Sequence, residues 1–380
     1  MGNAATGIGA RMKDEQFDFA LIGHQESWRA TADVFALLRG PAYPPVPDED
    51  LMSSVPWIPP RAVCHVRAYS ELGVSARGLY IDSFIPPDRL DAAFLQDNLK
   101  RVRGAAACAI KAGAKIVSLG GFSSILIEGN FDMIAGRGAT VFTTGNSLTV
   151  AFIVSGIRKM CAQHGTDLRN ATLLIVGATG DVGSGCARCL APLGGRVILC
   201  ARNLERLRRL QQDLEVQGMQ VDVATSILDL PARANVVVCA ASLPSPSLLL
   251  GQLSPGAIIC DAGYPKNLAP LANRNGWKVF YGGLGQVTSG MTFAPAVGGV
   301  LNRHPFPDVA HGCLLEGMTL ALERRFEPFS EGRGFITPQR VEEMESMAAR
   351  HGIVLAPLYN SDGPIAVSHE CAVERVGQWV

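Results

Sequence analysis

The 380-residue sequence has no surplus of charge of either sign: Lys plus Arg and Asp plus Glu each number 34. Proteins that hold a nucleic-acid backbone carry a basic balance or stripe, so that class is set aside for the whole chain. Long apolar runs are missing as well. None reaches the roughly 18 residues that a membrane-spanning helix needs, and the first 17 residues lack the apolar stretch of a secretory signal. The expectation is a cytoplasmic protein without a transmembrane segment, with peripheral membrane contact left open. Charged residues are few, 18% against 48% hydrophobic, which excludes a disordered chain and permits a large interior. Zinc-site spacing is absent. Cys186 and Cys189 form a C-x-x-C on a segment that reads as a helix, but no second Cys or His pair stands at the right distance, so no metal is expected. No internal repeat is found.

Glycine and cysteine are what the sequence has in quantity. Many of the 41 glycines fall at strand-to-loop junctions, which suits an α/β protein. Several of the 10 cysteines end apolar runs, as Cys200 does in VILC and Cys239 in VVVC. They read as small buried hydrophobes in a reducing compartment. Met1-Gly2-Asn3-Ala4-Ala5-Thr6 matches an N-myristoylation pattern, and reads equally as a flexible tail with a chance match.

The length suits two or three domains. Residues 1–16 read as a tail, 17–146 as an N-terminal α/β substrate domain, 147–295 as a connector helix and a Rossmann domain, and 296–380 as a C-terminal helical segment and tail. The fold class is α/β: the N-terminal domain, a doubly wound nucleotide-binding domain, and C-terminal helices packing back on the cleft. Strands are expected at FDFALIG (17–23), GLYIDSFI (78–85), IVSLGG and ATVFTTG, with a helix over 88–112. The Pro-rich stretch 41–60 reads as an irregular surface loop. Residues 147–164 are apolar on nearly every side, the mark of a buried helix. From 171 to 284 strands and helices alternate: LLIVG, a helix from Ser184, RVILC, a helix over 203–217 capped by Asn203 and stopped by Gly218, NVVVCAA and AIICDAG. Helices are expected again at 308–325 and 338–350, and nothing is assigned beyond Pro357.

The sharpest local signal is Gly177-Ala178-Thr179-Gly180-Asp181-Val182-Gly183-Ser184, directly after the strand LLIV. Gly177 allows the tight turn, Gly180 lets the backbone approach a pyrophosphate, and Gly183 permits close helix–strand packing. The helix that follows offers unpaired N–H groups and a positive dipole end to phosphates. The spacing is G-x-x-G-x-x-G, so the segment needs its context. The next strand ends in Ala201-Arg202-Asn203, where an NAD site places a carboxylate for the ribose 2′-OH. Here Arg202 stands instead, with Arg206 one turn on, and a guanidinium matches a 2′-phosphate. NADPH is therefore the expected cofactor. Ala240 and Ala241, at the end of NVVVC, line the same edge. Asp261 reads either as pointing into the cleft or as stabilising its own turn.

Further segments carry a resemblance. Leu21-Ile22-Gly23-His24, Ser83-Phe84 with Pro86, Leu119-Gly120-Gly121-Phe122-Ser123-Ser124-Ile125, Phe142-Thr143-Thr144-Gly145-Asn146, the glycine segment, Ala201-Arg202-Asn203 and Gly263-Tyr264-Pro265-Lys266-Asn267-Leu268 follow one another in order. In these segments the chain resembles the long-chain acyl-(acyl carrier protein) reductases, the aldehyde-forming enzymes of cyanobacterial alkane synthesis. The similarity spans residues 17–355. It implies transfer of a fatty acyl group from a carrier thioester (acyl-ACP or acyl-CoA) to a cysteine, then reduction by NADPH to an aldehyde. The family's nucleophile stands in a Cys-x-x-Glu context, which Cys313 matches within Ala310-His311-Gly312-Cys313-Leu314-Leu315-Glu316. The flanks of Cys313, the N-terminal extension and the tail depart from the family pattern.

A nucleophilic cysteine needs a lowered pKa, and His311 and His304 are the neighbours in sequence that can assist it. The acyl carbonyl needs donors as charge develops. Ser123, Ser124 and the backbone of their turn are candidates, as are Thr143, Thr144 and Asn146. Ser123, Ser124 and Asn146 read equally as helix caps, and His24 as a structural histidine. Lys266 reads as orienting substrate or as a solvated lysine. Lys100, Arg101 and Arg103 form a basic turn on which an acidic carrier protein can dock, or a solvated face. Two other readings are kept: a shikimate-dehydrogenase-like NADP oxidoreductase using Lys111 and Asp82 for proton transfer, and a non-catalytic NADP-binding protein. Acyl length, carrier, oligomeric state and proton donor stay undetermined.

Overall fold

The computed structural model describes residues 16–365 apart from 41, 128–129, 242, 244, 265, 273, 296–302 and 333. The candidate myristoylation segment lies outside the described residues. The chain divides into two compact units, one running to Phe152 and resuming over Gly283–Ala356, the other beginning with Ile153–Gly282 and resuming at Pro357. Residues 296–356, read from sequence as a segment of their own, thus belong with the first unit.

The first unit opens with β1 (Phe19–Gly23), buried at every position. Helix α1 (Trp28–Arg39) follows, capped by the Ser27 side chain accepting from Ala30 N–H. The Pro-rich stretch is not an irregular loop. Pro47 leads into α2 (Asp48–Ser54), whose first turn holds Asp48, Glu49 and Asp50, and a 3-10 turn runs over Val55–Trp57. Acidic residues in a first turn meet the positive end of the helix dipole, and buried Leu51 and Val55 anchor the segment. Strands β2 (Arg61–Tyr69) and β3 (Ser75–Asp82) pair antiparallel, and β2 had no sequence assignment. Then come α3 (Leu95–Lys111), β4 (Ile116–Leu119), the short α4 (Phe122–Ile127), β5 (Val141–Thr143) and the long α5 (Asn146–Gln163). The helix α5 is buried on almost all sides up to Ile157, as its apolar circumference requires. The unit boundary falls within it.

The second unit is built on β6 (Thr172–Val176), α6 (Asp181–Leu190), β7 (Arg196–Cys200), α7 (Leu204–Glu215), β8 (Val221–Ala224), β9 (Ala234–Cys239), β10 (Leu253–Asp261) and β11 (Lys278–Tyr281). Its six strands lie in the order β11-β10-β9-β6-β7-β8, all pairs parallel. Numbered from the first strand, this is the 3-2-1-4-5-6 order of a doubly wound dinucleotide-binding sheet. Asn203 caps α7 by accepting from Arg206 N–H, and Gly218 takes φ +84 just past its end. The helix α6 begins at Asp181, three residues before the expected Ser184. Strands β8 and β11 escaped the sequence reading because VDVA and KVFY are short and partly polar.

Returning to the first unit, the chain adds β12 (Leu284–Val287), β13 (Met291–Ala294), β14 (Val309–His311), α8 (Gly312–Leu322), α9 (Pro338–Arg350) and β15 (Ile353–Leu355). The first sheet reads β13-β2-β3-β1-β4-β5, and β12 pairs with β14 and β15 in a small sheet. Val309 stands in a strand, not in the helix expected over 308–325, because β14 pairs antiparallel with β12 before the helix starts.

Arg101 does not belong to a docking face. From α3 its guanidinium donates to the carbonyls of Phe84 (2.7 Å), Ile58 (3.1 Å), Val55 (3.3 Å) and Pro56. Phe84 sits at φ +48, a backbone region costly for a bulky side chain, and Arg101 helps hold it there. Lys100 and Arg103 are exposed. Arg101→Met leaves five carbonyls, that of Ser83 (3.4 Å) included, without a charged donor and should cost about 2–3 kcal/mol. Lys100→Met and Arg103→Met should stay within about 0.5 kcal/mol of the parent. Denaturant midpoints of the three variants test this, and equal effects would remove the anchoring role.

Candidate active site

In the first unit β1, β3, β4 and β5 run parallel, so their C-terminal ends gather at one edge of the sheet. That edge collects the segments that stand apart in sequence. Gly23 carbonyl accepts from both the N–H (2.9 Å) and the hydroxyl (3.0 Å) of Ser83. Gly120 N–H donates to Ile22 carbonyl at 2.8 Å. The start of α8 lies against the same edge. A Cβ on Gly145 would stand 2.1–2.5 Å from backbone atoms of Cys313, and one on Gly312 would stand 2.7 Å from Thr149 Cα. Side chains are excluded at both glycines by backbone–backbone approach, and Gly145 also needs φ +72. The Ser118 hydroxyl donates to Cys313 carbonyl.

Cys313 is the second residue of α8, with His311 at the cap position. Burial pushes its thiol up, opposed by hydrogen bonds from the N–H groups of Gly121, Leu314 and Cys313 itself, while Glu316 adds to the rise. The expected lowered pKa is therefore not found: desolvation outweighs the helix start. His311 is the cap residue of α8, and His304 lies beside it. Their rings lie edge-to-face with centroids 5.7 Å apart, and His311 Nε2 lies 4.0 Å from Glu26.

Glu316 is the residue that sequence reasoning left without a role. The Cys-x-x-Glu spacing puts it one turn beyond Cys313. It is fully buried and accepts from the Thr143 hydroxyl and from Leu148 N–H (3.0 Å). The Ser330 hydroxyl and Ser147 N–H also donate to it, and burial raises its pKa. Thr143 and Thr144 are not spare donors, since Thr143 donates to Glu316 and Thr144 to Ser330 carbonyl (3.2 Å). Asn146 is buried at the start of α5. It is the first residue of that helix, and Gly145 carbonyl takes the first turn's hydrogen bond from Thr149. The Ser124 hydroxyl donates to Gly121 carbonyl at 2.8 Å. The Ser123 hydroxyl is fully buried and has no hydrogen-bond partner. His24 lies at this edge too, with Nε2 accepting from Phe122 N–H.

Asp82 ends β3 at the same edge, where its carboxylate accepts from the Gln25 side chain and Phe84 N–H, both at 2.7 Å. Burial raises its pKa to about 6. Lys111 ends α3, which runs back from that edge to the start of β4. It therefore stands at the opposite edge, and the two residues form no proton-transfer pair.

In the second unit the glycine turn sits at the topological switch point, between β6 and β9. Gly177 takes φ +78, and a Cβ there would lie 2.7 Å from Ala240 carbonyl. A Cβ on Gly183 would lie 2.2 Å from Gly177 carbonyl. Gly180 differs: a Cβ there would meet only that carbonyl, at 3.5 Å. Gly177 and Gly183 are thus demanded by packing, whereas Gly180 borders space that a phosphate can fill. Gly180 caps α6, whose first-turn N–H groups belong to Asp181, Val182 and Gly183. Thr179 is half-buried beside them. Ala240 N–H donates to Val176 carbonyl, fixing Ala240 and Ala241 beside the turn. Arg202 and Arg206 are exposed, with no ion pair among the described residues. The chemistry and the space fit a dinucleotide carrying a 2′-phosphate.

Two nearby residues have structural roles instead. Asp261 accepts from Asn267 N–H (2.9 Å) and Leu268 N–H (2.8 Å), so it holds its own turn. Lys266 donates to the carbonyls of Asp261 (2.8 Å) and Gly282 (3.0 Å), neither orienting a substrate nor pointing to solvent. Cys186 and Cys189 are buried on α6, and no cluster able to hold a metal is found among the described residues. No described helix is long and apolar enough to cross a membrane.

No protein-family model matches the chain. It is 33% identical over 346 residues to the long-chain acyl-[acyl-carrier-protein] reductase of Synechococcus elongatus, covering 88% of this chain and 97% of that protein. It is 27% identical over 253 residues to aminotransferase PigE of a Serratia species, covering 66% of this chain and 29% of that protein. Among solved structures, dipicolinate synthase A chain from Bacillus subtilis overlaps 48% of this chain and 59% of that one, at 17% identity and a TM-score of 0.32.

The raised thiol pKa sets a pH dependence. Alkylation of Cys313 by iodoacetamide should keep accelerating past the ordinary thiol value of 9.0. A rate that levels off well below that pH, followed by mass analysis of the Cys313 peptide, would contradict the balance of burial over hydrogen bonding.

Proposed function

The chain belongs to the long-chain acyl-[acyl-carrier-protein] reductase family and is an NADP-dependent oxidoreductase; from that premise we propose that it reduces a fatty acyl thioester to an aldehyde through an acyl group held on Cys313. The observation that carries this reading is the placement of one sulfur: Cys313 stands in the first turn of α8, packed against Gly145 at the edge of a parallel sheet, with the backbone of Gly121, Cys313 and Leu314 favouring its thiolate.

In the first step the Cys313 sulfur bonds to the acyl carbon and the carbon–sulfur bond to the carrier breaks. The thiol proton ends on the departing carrier thiol. The exchange trades one thioester for another, so the barrier lies in generating the thiolate and in the charge on the tetrahedral oxygen. The backbone N–H groups around Cys313 are positioned to stabilise both. Ser123 has a hydroxyl to offer the same oxygen, and Ser124 and Glu316 keep the two turns in place. A bound NADPH supplies the hydride that takes the acyl carbon to the aldehyde level and frees the cysteine. Gly177, Thr179, Gly180, Asp181, Val182 and Gly183 would hold its pyrophosphate, with Ala240 and Ala241 beside it. Asn203 caps the helix that carries Arg206, and Arg202 with Arg206 would take the 2′-phosphate. The carrier is acyl carrier protein or coenzyme A. The alternative of a polyol dehydrogenase with a Lys111–Asp82 pair lacks its geometric basis.

Cys313→Ser should lower aldehyde formation roughly 10³-fold or more, with no acyl mass on the protein. Full aldehyde yield from that variant would remove the covalent step. Arg202→Ala should raise the KM for NADPH about ten- to a hundredfold, the worth of a charge-assisted phosphate contact, while leaving NADH almost unaffected. Equal losses with both cofactors would point to a structural arginine.

A further inference from the structure

We propose that His24 is the residue that positions the Gly120–Ser124 turn, and with it the Gly121 N–H, against the sulfur of Cys313. The inference rests on the reading of Cys313 as the nucleophile. His24 lies immediately beyond β1, on a loop pinned at each neighbour. Before it, Gly23 carbonyl takes both hydrogen bonds of Ser83. After it, the Gln25 amide donates to Asp82 (2.7 Å) and to the Tyr80 hydroxyl (3.4 Å). The imidazole is thus carried on a rigid support.

The ring reaches across to the turn after β4. Its Nε2 accepts from Phe122 N–H at 3.0 Å. A nitrogen that accepts carries no proton, so the proton sits on Nδ1, 3.3 Å from Gln25 carbonyl. Burial lowers the pKa of His24 to about 4, and the ring therefore stays neutral and able to accept throughout the neutral range. It packs edge-on to the Phe122 ring, centroids 6.4 Å apart.

The turn is consequently held on both sides of the glycine that matters. Gly120 N–H is tied to Ile22 carbonyl, and Phe122 N–H to His24. Gly121 lies between them at φ +53, and its backbone counters the rise of the Cys313 thiol. With Phe122 N–H released, the Gly121–Phe122 peptide keeps only the two Ser124 hydrogen bonds to the Gly121 carbonyl, and the turn loses its tie to the β1 side of the sheet edge. His24 acts on that sulfur through the turn, by way of the Phe122 N–H. It is a positioning residue.

The test compares His24→Ala, His24→Gln and His24→Asn in the full chain. The Gln side-chain oxygen reaches the place of Nε2 and restores the acceptor; the Asn oxygen falls short. At one fixed pH, iodoacetamide alkylation of Cys313 should slow about tenfold in His24→Ala and His24→Asn and recover in His24→Gln. The kcat for aldehyde formation should follow the same order, with the KM for the acyl thioester little changed. A folded His24→Ala with the parent's alkylation rate overturns the proposal. So does a folded His24→Gln that behaves like His24→Asn. If His24→Ala fails to fold, the Gln–Asn pair decides. Alkylation needs no acyl substrate, so a loss confined to alkylation would leave the positioning role standing and the acyl-enzyme reading to fall by itself.

Discussion

A carboxylate without solvent must be hydrogen-bonded, and Glu316 meets that demand by gathering the β5–α5 corner around itself. Leaving such a group without partners costs about 3–5 kcal/mol, which is enough to decide a local conformation. Thr143, Ser147, Leu148 and Ser330 are the groups it holds, and they belong to two separate stretches of chain. Because Glu316 and Cys313 share one helix, the contact that satisfies the carboxylate also sets the depth of the cysteine against the sheet. The bare Cα of Gly145 then becomes a requirement, since any side chain there would collide with the Cys313 backbone.

The same logic governs the other side of Cys313. Parallel strands of similar length end together, and their ends bring distant segments to one place. There Ser83 is tied to the Gly23 carbonyl and Gly120 to the Ile22 carbonyl by backbone and hydroxyl hydrogen bonds. The setting is apolar enough to raise the thiol, so the N–H groups aimed at the sulfur work against desolvation. A poorly solvated thiolate is a strong nucleophile once formed, and fixed dipoles at its sulfur need no reorganisation during reaction. The second unit applies parallel-strand geometry to a different end: its switch point carries Gly180 beside open space, with Gly177 and Gly183 packed tightly on either side.

Several readings of the sequence failed for one reason, that chemistry-bearing residues were judged by type and not by partner. Arg101 looked like a docking cation and spends its donors on buried-loop carbonyls. Lys266 is similarly consumed by two carbonyls. Asp82 and Lys111 suggested a proton-transfer pair, yet a strand and the helix returning from it place their ends at opposite sheet edges. Proline content suggested an irregular loop where Leu51 and Val55 bury themselves and an acidic first turn starts a helix.

The Cys-x-x-Glu spacing carried meaning only through the family resemblance, whereas the glycine segment, its arginines in place of a carboxylate and the alternation of strand and helix were legible in the sequence itself. Each depends on backbone permission or periodicity within a few neighbouring residues. The role of Glu316, the support that His24 lends to the glycine turn and the upward shift of the Cys313 thiol belong to the tertiary structure alone. They are set by burial and by hydrogen bonds between residues far apart in the chain, such as His24 with Phe122 and Thr143 with Glu316. Desolvation depends on everything that surrounds a group, and no local pattern of residues encodes it.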